Sequence, residues 1–292
     1  MSALQVPSVS IIIPTYNSSR TLCHCLESVG SQDYCPIELI VVDKYSTDGT
    51  RAIAEKFGAT FLRKGPERSS QKNWGARWAR GEFLYFVDSD FILERRAVGK
   101  CIDSCKWHDA VSTVNYSLGR SLWGKSIELK ERFLAHDPTI QTVRFIRKSV
   151  FLQAGGFDES LVVGEDLDLY RRLEEDRFRI GSANAIEWHI GEPETLRDIA
   201  RRSFYYGKVV KPYLNKRKGF AVRQLSPLKP DLVFTLIKTG SPYLPSLLVV
   251  DVTRWMSTLL GLLLTAFDFR RSSPPIQRVG QRETPSAAFF AV

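Results

Sequence analysis

Between residues 9 and 87, apolar runs rich in β-branched side chains alternate with stretches whose apolar residues recur at helical spacing, and polar turns separate them. Strand, helix, strand, helix in that order implies a parallel sheet covered by helices, which makes this an α/β chain. Length and composition agree with one sizeable core. The chain has 292 residues, of which 43% are hydrophobic, 25% charged and 11% aromatic. Disordered, collagen-like and disulfide-scaffold classes are excluded, and one large domain, or one plus an appendage, is expected.

The elements follow in order. Residues 9–13 form the first strand, Pro14, Thr15, Tyr16 and Asn17 break it, and Leu22, Leu26 and Val29 mark the buried face of a helix. A second strand covers 38–42, a polar turn runs over 43–50, and Ala52, Ile53 and Phe57 belong to the next helix. A short strand over 59–62, a Gly65-Pro66 turn, a helix over 71–79 and a third strong strand over 83–87 complete a βαβαβ-type half. In such sheets ligands bind at the carboxyl ends of the strands. That rule singles out Thr15, Tyr16 and Asn17, then Asp43, then Asp88, Ser89 and Asp90.

Asp88 and Asp90 can turn toward one hard cation, and Mg²⁺ commonly takes one or two carboxylates plus substrate phosphate oxygens. The competing reading is that both acids cap the segment after the strand. Gly155, Gly156, Phe157, Asp158 and Glu159 mark a later turn, and Glu165 and Asp166 open a helix with Leu167, Tyr170 and Leu173 on its buried face. Acids in a first helical turn suit the dipole, and beside a bound substrate the same pair offers a carboxylate general base. In the helix over 71–79, Asn73 and Arg77 share a face. Arg77 either reaches a diphosphate or stands in solvent, whereas Trp74 and Trp78 are expected to pack in the core.

A net charge of +9 favours anionic partners: phosphorylated small molecules, acidic headgroups or nucleic acid. The five cysteines show neither paired CxxC spacing nor histidines at zinc spacing, and residues 1–8 carry no secretory signal. Reduced thiols in a cytosolic compartment are expected.

Five stretches, VSIIIPTYN at 9–17, ELIVVDKYSTDGT at 38–50, GEFLYFVDSD at 81–90, GGFDE at 155–159 and GEDLDLYRRL at 164–173, together resemble glycosyltransferase family 2. These are nucleotide-sugar-dependent enzymes with the GT-A fold, and the likeness covers about residues 9–190. It implies a Rossmann-like, mixed but mainly parallel sheet with helices on both faces and a helical C-terminal region. It also implies a catalytic domain over 1–190, while charge and hydropathy mark a basic amphipathic region over 191–271 and the lack of periodicity a flexible tail over 272–292.

By the same resemblance, Pro14, Thr15, Tyr16 and Asn17 line the nucleoside pocket, Asp43 stands at its edge, and Asn73, Arg77 and Ser89 join the donor contacts. Asp88 and Asp90 become a DxD pair holding Mn²⁺ or Mg²⁺ against the donor diphosphate. Asp166, beside Glu165, becomes the base of an inverting transfer, and Gly155, Gly156, Phe157 and Asp158 shape the acceptor side. His189 is a further metal ligand or, on its own, a structural histidine. One position departs from the pattern: Lys44 stands where many members carry a second Asp. Lysine has donors and no acceptor, so it cannot take the imide N–H of uracil, and the nucleotide stays open. A catalytically silent nucleotide-sugar or anionic-lipid binding module of the same fold is the alternative function.

Residues 195–224 hold nine Lys or Arg against one acid, Asp198, interleaved with Phe204, Tyr205, Tyr206 and Tyr213. An anionic membrane surface, single-stranded nucleic acid and a solvated face all fit such a stretch. Residues 243–267 are the most apolar part, interrupted by Asp251 and Arg254, whose insertion into a bilayer costs several kcal/mol. One or two amphipathic helices lying in the interface, anchored by Arg270 and Arg271, are expected, against the alternative of a buried C-terminal subdomain. The membrane reading ranks nucleic acid a distant third as partner, puts the protein peripherally on a cytoplasmic membrane face, and favours a glycan or polyprenyl-linked acceptor.

Overall fold

The structure is a computed structural model that describes residues 7–135, 137, 140–219, 230–238 and 240–271. The tail over 272–292 and Arg223 lie outside the described residues. Four parallel strands come first: β1 (Val9–Thr15), β2 (Ile37–Asp43), β3 (Thr60–Arg63) and β4 (Phe83–Phe86), separated by α1 (Leu22–Gly30), α2 (Thr50–Lys56) and α3 (Arg68–Trp78). Then follow β5 (Phe91–Leu93), α4 (Ala97–Ser104), β6 (Ala110–Ser117), α5 (Leu122–Leu134), β7 (Phe145–Arg147), α6 (Lys148–Gln153), α7 (Glu165–Glu175) and β8 (Ile180–His189). The eight strands form one sheet in the order β3-β2-β1-β4-β7-β6-β8-β5.

Alternation along the strands explains why helices cover both faces. Val9, Ile11, Ile13, Val41, Phe83 and Tyr85 point to one side, where Leu22 and Leu26 of α1, Ala54 of α2 and Ala97 of α4 meet them. Ile12, Ile40, Val42, Leu84 and Phe86 point to the other, against Ala76 of α3, Phe151 of α6 and Leu169 and Leu173 of α7. Each large side chain buried this way contributes about 1.5–3 kcal/mol, so register is strongly specified in the central strands.

The pairing gathers strand ends at one edge. Thr15 lies opposite Asp43 in the parallel β1–β2 pair. Strand β7 runs antiparallel to β4, with Phe145 opposite Tyr85, so Arg144 just before it arrives beside the end of β4. Its carbonyl accepts the Phe86 N–H at 2.9 Å. Strand β8 ends with His189 opposite both Ser117 of β6 and Phe91 at the start of β5. The acids after β4 are thereby brought against the end of β8.

Beyond β8 the chain is helical: α8 (Leu196–Val209), α9 (Lys211–Lys216), α10 (Pro230–Lys238) and α11 (Leu244–Arg271). Helix α11 is a single element whose inner face packs on α8 and α5. Helices α8 and α11 touch backbone to backbone, because a Cβ on Gly207 would fall 2.0 Å from the Thr258 carbonyl and one on Gly261 2.3 Å from that of Phe204. The stretch Leu244–Thr265 is long and apolar enough to cross a membrane by length and composition. Its charges, however, turn inward: buried Asp251 pairs with Lys130 Nζ at 2.6 Å, and Arg254 lies 3.8 Å from Glu131.

One expectation needs correction. Trp78 is 56% exposed, because it sits on the solvent side of the last turn of α3 and meets Trp74 edge-on, while Trp74 packs against the core. The basic stretch divides its cations between two settings. Lys216 and Arg217 turn inward onto Asp168, and Arg202 turns toward Glu192. Arg197, Arg201, Lys208, Lys211 and Lys218 remain exposed.

Replacing Lys130 by Met strands the buried Asp251 carboxylate. Loss of one partner of a buried pair costs about 3–5 kcal/mol. Urea unfolding is expected to show that loss for Lys130→Met, and an unchanged midpoint would contradict the packing of α11 described above.

Candidate active site

The loop after β1 is tied to the loop after β2. Thr15 Oγ1 donates to Asp43 Oδ1 at 2.9 Å, and Asp43 also accepts from the Ser46 hydroxyl at 2.5 Å and the Ser46 N–H at 2.7 Å. Asn17, with φ 48°, accepts from the Thr47 N–H and donates its own N–H to Ser46 Oγ. Asp43 therefore shapes the pocket edge from a buried position. The rings of Tyr16 and Tyr45 stand out of the stitched loops, 59% and 62% exposed, as aromatic surfaces for a base. Lys44, partly exposed, has its Nζ 3.2 Å from Glu67 and 5.2 Å from the centre of the Tyr16 ring.

Asp88 is mostly buried and locked. Arg144 Nη2 is 3.2 Å from its Oδ2, and Lys72 Nζ is 3.6 Å from its Oδ1. Burial alone would raise the carboxyl, but Lys72, Arg144 and Arg68 outweigh it and hold it well below the usual carboxylate range. Lys72, only 4% exposed, is also 3.6 Å from Glu165, which Arg68 approaches at 3.7 Å. Burial pushes Glu165 upward against Arg68, and neighbouring Asp166 adds to the rise. One ammonium thus joins the acid after β4 to the acid that opens α7. Ser89 bonds Ser18 at 2.9 Å, and Pro14 stays within β1.

Asp90 faces the other way. Its Oδ2 lies 3.0 Å from His189 Nε2, and the opposite ring nitrogen of His189 is 2.7 Å from Glu192. Burial disfavours the imidazolium, but these hydrogen bonds reverse the effect and push His189 up to about 9, while Glu192 falls to about 2. Gly191 makes the approach possible, since a Cβ there would sit 2.1 Å from Asp90 Oδ2.

The residues fit a divalent cation in part. Oδ1 of Asp88 is buried without a hydrogen-bond partner, and Asp90 with His189 supplies oxygen and imidazole donors of the kind Mn²⁺ and Mg²⁺ accept. Among the described residues no three His, Cys, Asp or Glu side chains converge on one point. A cation here therefore depends on substrate phosphate oxygens, as Mg²⁺ sites commonly do.

Asp166 lines a cavity of about 160 Å³ with Arg144, Thr113 and Asn115. A larger cavity of about 520 Å³ adjoins it, sharing Asn115, Glu131, Leu134 and Ile140, and reaches His189 and Glu192. Helices α5, α8 and α11 form its outer wall.

Several expected contacts belong to the scaffold instead. Arg77 is exposed at the C-terminal end of α3, 5.9 Å from the Trp74 ring centre; the cations that face the site are Lys72 and Arg68, about one and a half and two and a half turns nearer the helix N-terminus. Asn73 clamps the Gly155–Gly156 turn, accepting the Phe157 N–H and donating to its carbonyl, both at 2.9 Å. Phe157 is core, under Lys72, and Asp158 pairs with Lys216 at 2.5 Å. Gly155, Gly156, Phe157 and Asp158 line neither of these two cavities, and they tie α3 to the ED helix. Arg68, Lys72, Arg144, Glu187, Glu192 and Tyr45 escaped the sequence reading. The i, i+4 spacing of Arg68 and Lys72 was the available signal for those two.

The architecture and the grouped strand-end acids define a GT-A-like nucleotide-diphospho-sugar fold. The pattern described as glycosyl transferase family 2 matches residues 10–157, and the chain belongs to that family. Chondroitin synthase of Escherichia coli is 29% identical over 187 residues, 59% of this chain but 27% of its own length, so the chain spans about a quarter of that relative. Glycosyltransferase AglE of Haloferax volcanii is 26% identical over 234 residues, 70% of this chain and 73% of its own. Among solved structures, the mannosyltransferase PcManGT from Pyrobaculum calidifontis, in complex with GDP-Man and Mn²⁺, is similar with a TM-score of 0.59 at 16% identity, covering 91% of this chain and 88% of that one. That likeness shows the fold.

Lys72→Met leaves Asp88 and Glu165 buried with one cation fewer, a loss of several kcal/mol that lowers Tm by about 10 °C. Calorimetry checks it; a Tm within a degree or two of the parent would mean that the ammonium does not hold the two acids together.

Proposed function

We propose that the chain is an inverting glycosyltransferase that moves a sugar from a nucleoside-diphosphate donor to an acceptor hydroxyl. The observation that carries this reading is that Asp88 and Asp90 each pair with a residue that lines one of the two adjoining cavities, Arg144 beside Asp166 in the smaller and His189 in the larger, with Lys72 also neutralising Asp88. The base stacks on Tyr16 or Tyr45, and the diphosphate lies across the ends of β1 and β4. Asp88, Asp90 and His189 would hold Mn²⁺ or Mg²⁺, which would supply electrostatic stabilisation of the leaving diphosphate.

Asp166 accepts the acceptor hydroxyl proton as that oxygen attacks the anomeric carbon. The new C–O bond forms on one face, the bond to the diphosphate oxygen breaks on the opposite face, and configuration inverts. Arg144 and Arg68 bring positive charge to the donor side. Residues 1–190 serve as the catalytic domain and 191–271 as a helical region that closes the acceptor side.

The same helices support a peripheral position on the cytoplasmic face of a membrane. Every exposed residue of α11 between 244 and 265 is apolar, among them Leu248, Val252, Met256, Leu260 and Leu264, and Phe234 and Ile237 of α10 are exposed too. Charges that would oppose burial in lipid face the protein instead. An interfacial helix with neighbouring exposed Arg197, Arg201 and Lys208 suits anionic lipid, and a lipid-linked or cell-surface glycan suits an enzyme held there.

A panel of UDP-, GDP- and dTDP-sugars with Mn²⁺ and membrane extract tests the activity. One donor class turns over, and Asp166→Asn lowers kcat about 10²–10⁴-fold while nucleotide binding persists. Donors that bind but never turn over would favour the silent binding module. Val252→Glu combined with Leu260→Glu is expected to abolish co-sedimentation with anionic vesicles at low salt. Parent protein that stays entirely in the supernatant would rule the membrane position out.

A further inference from the structure

The 520 Å³ cavity is within the range of about 300–1,000 Å³ typical of small-molecule sites, and beside the close Lys130–Asp251 and His189–Glu192 pairs two of its ion pairs are loosely matched. Arg254 Nη1 lies 3.8 Å from Glu131 Oε1, and Arg202 Nη1 lies 3.5 Å from Glu192 Oε2. At these lengths the ions neutralise one another without using up their hydrogen-bonding capacity: a guanidinium has five donors and a carboxylate several lone pairs. Arg202 Nε also donates to the Tyr206 hydroxyl at 3.1 Å. Trp255 closes the wall from α11, beside apolar Leu134, Ile140 and Val210.

We infer that this cavity receives a neutral sugar ring, the terminal residue of a glycan acceptor, and that Glu131 and Arg254 bind its hydroxyls. A sugar hydroxyl donates and accepts at once, so a carboxylate–guanidinium pair held slightly apart serves two neighbouring hydroxyls. Its C–H face matches the aromatic and aliphatic wall. A phosphate would instead require cations in excess, whereas Arg254, Arg202 and Lys130 each stand within 4 Å of Glu131, Glu192 and Asp251 respectively. Glu131 lines both cavities, so a ring held by it reaches toward Asp166 in the smaller one. The specificity for acceptor thus lies on α5 and α11, of which α11 is outside the segment that the family pattern covers. This inference rests on the transferase reading for its chemistry, but the binding it describes does not need turnover.

Titration with neutral octyl glycosides of glucose, galactose, mannose, rhamnose and N-acetylglucosamine, followed by tryptophan fluorescence with octyl phosphate in parallel, tests it on the full chain. At least one glycoside is expected to give saturable quenching, octyl phosphate none. Glu131→Gln and Arg254→Gln are each expected to weaken that glycoside at least tenfold, with nucleoside diphosphate affinity measured without acceptor unchanged. In transfer assays the same variants raise the acceptor KM more than they lower kcat. Tighter binding of octyl phosphate than of every glycoside, or glycoside affinity unaltered in both folded variants, overturns the inference. Glycoside binding without turnover of any donor would instead overturn the transferase reading and leave the sugar site standing.

Discussion

A buried ammonium, that of Lys72, stands 3.6 Å from Asp88 and 3.6 Å from Glu165, and the site is organised around it. These acids come from segments far apart in sequence, one after β4 and one at the start of α7, and neither would stay ionised under the helices without cations brought along. Helix α3 brings Lys72 and Arg68, and the start of β7 brings Arg144. Asn73, next to Lys72, fastens the turn that leads into α7. Folding α3 onto the sheet therefore positions the acid after β4 and the ED acids in one step.

That arrangement divides labour between the two aspartates of the DSD segment. Asp88 is held by Lys72 and Arg144, with its Oδ1 left without a hydrogen-bond partner. Asp90, opposite His189 and beside Gly191, keeps its carboxylate toward the open edge. With Glu192 on its far side, His189 keeps its proton at neutral pH in the free protein, and a cation bound by its ring nitrogen would have to displace that proton.

The N-terminal half of this fold was legible because its strands are long, β-branched and buried on both faces, so that strand ends could be read off as Thr15, Asp43 and Asp88 before any pairing was known. Strands β5 and β7, three residues each, carry no period that a sequence can display, and with them Arg144 went unseen. Asn73, Arg77 and the Gly155–Asp158 turn were read for chemistry because helical spacing gives a face but not what that face meets. Only the folded chain shows Asn73 on the Phe157 backbone and Arg77 in solvent. In α11 the interrupting charges Asp251 and Arg254 were read as a cost of burial in lipid. Pairing with α5 removes that cost and leaves an outer face of apolar side chains alone.

Crystals grown with Mn²⁺ and a nucleoside diphosphate, measured at the manganese absorption edge, address the division of labour directly. The account predicts an anomalous peak beside Asp90, with the diphosphate at the ends of β1 and β4 and Asp88 still held by Lys72 and Arg144. A manganese ion bound elsewhere, or a nucleotide seated in the 520 Å³ cavity with the Asp90–His189 hydrogen bond intact, would contradict it.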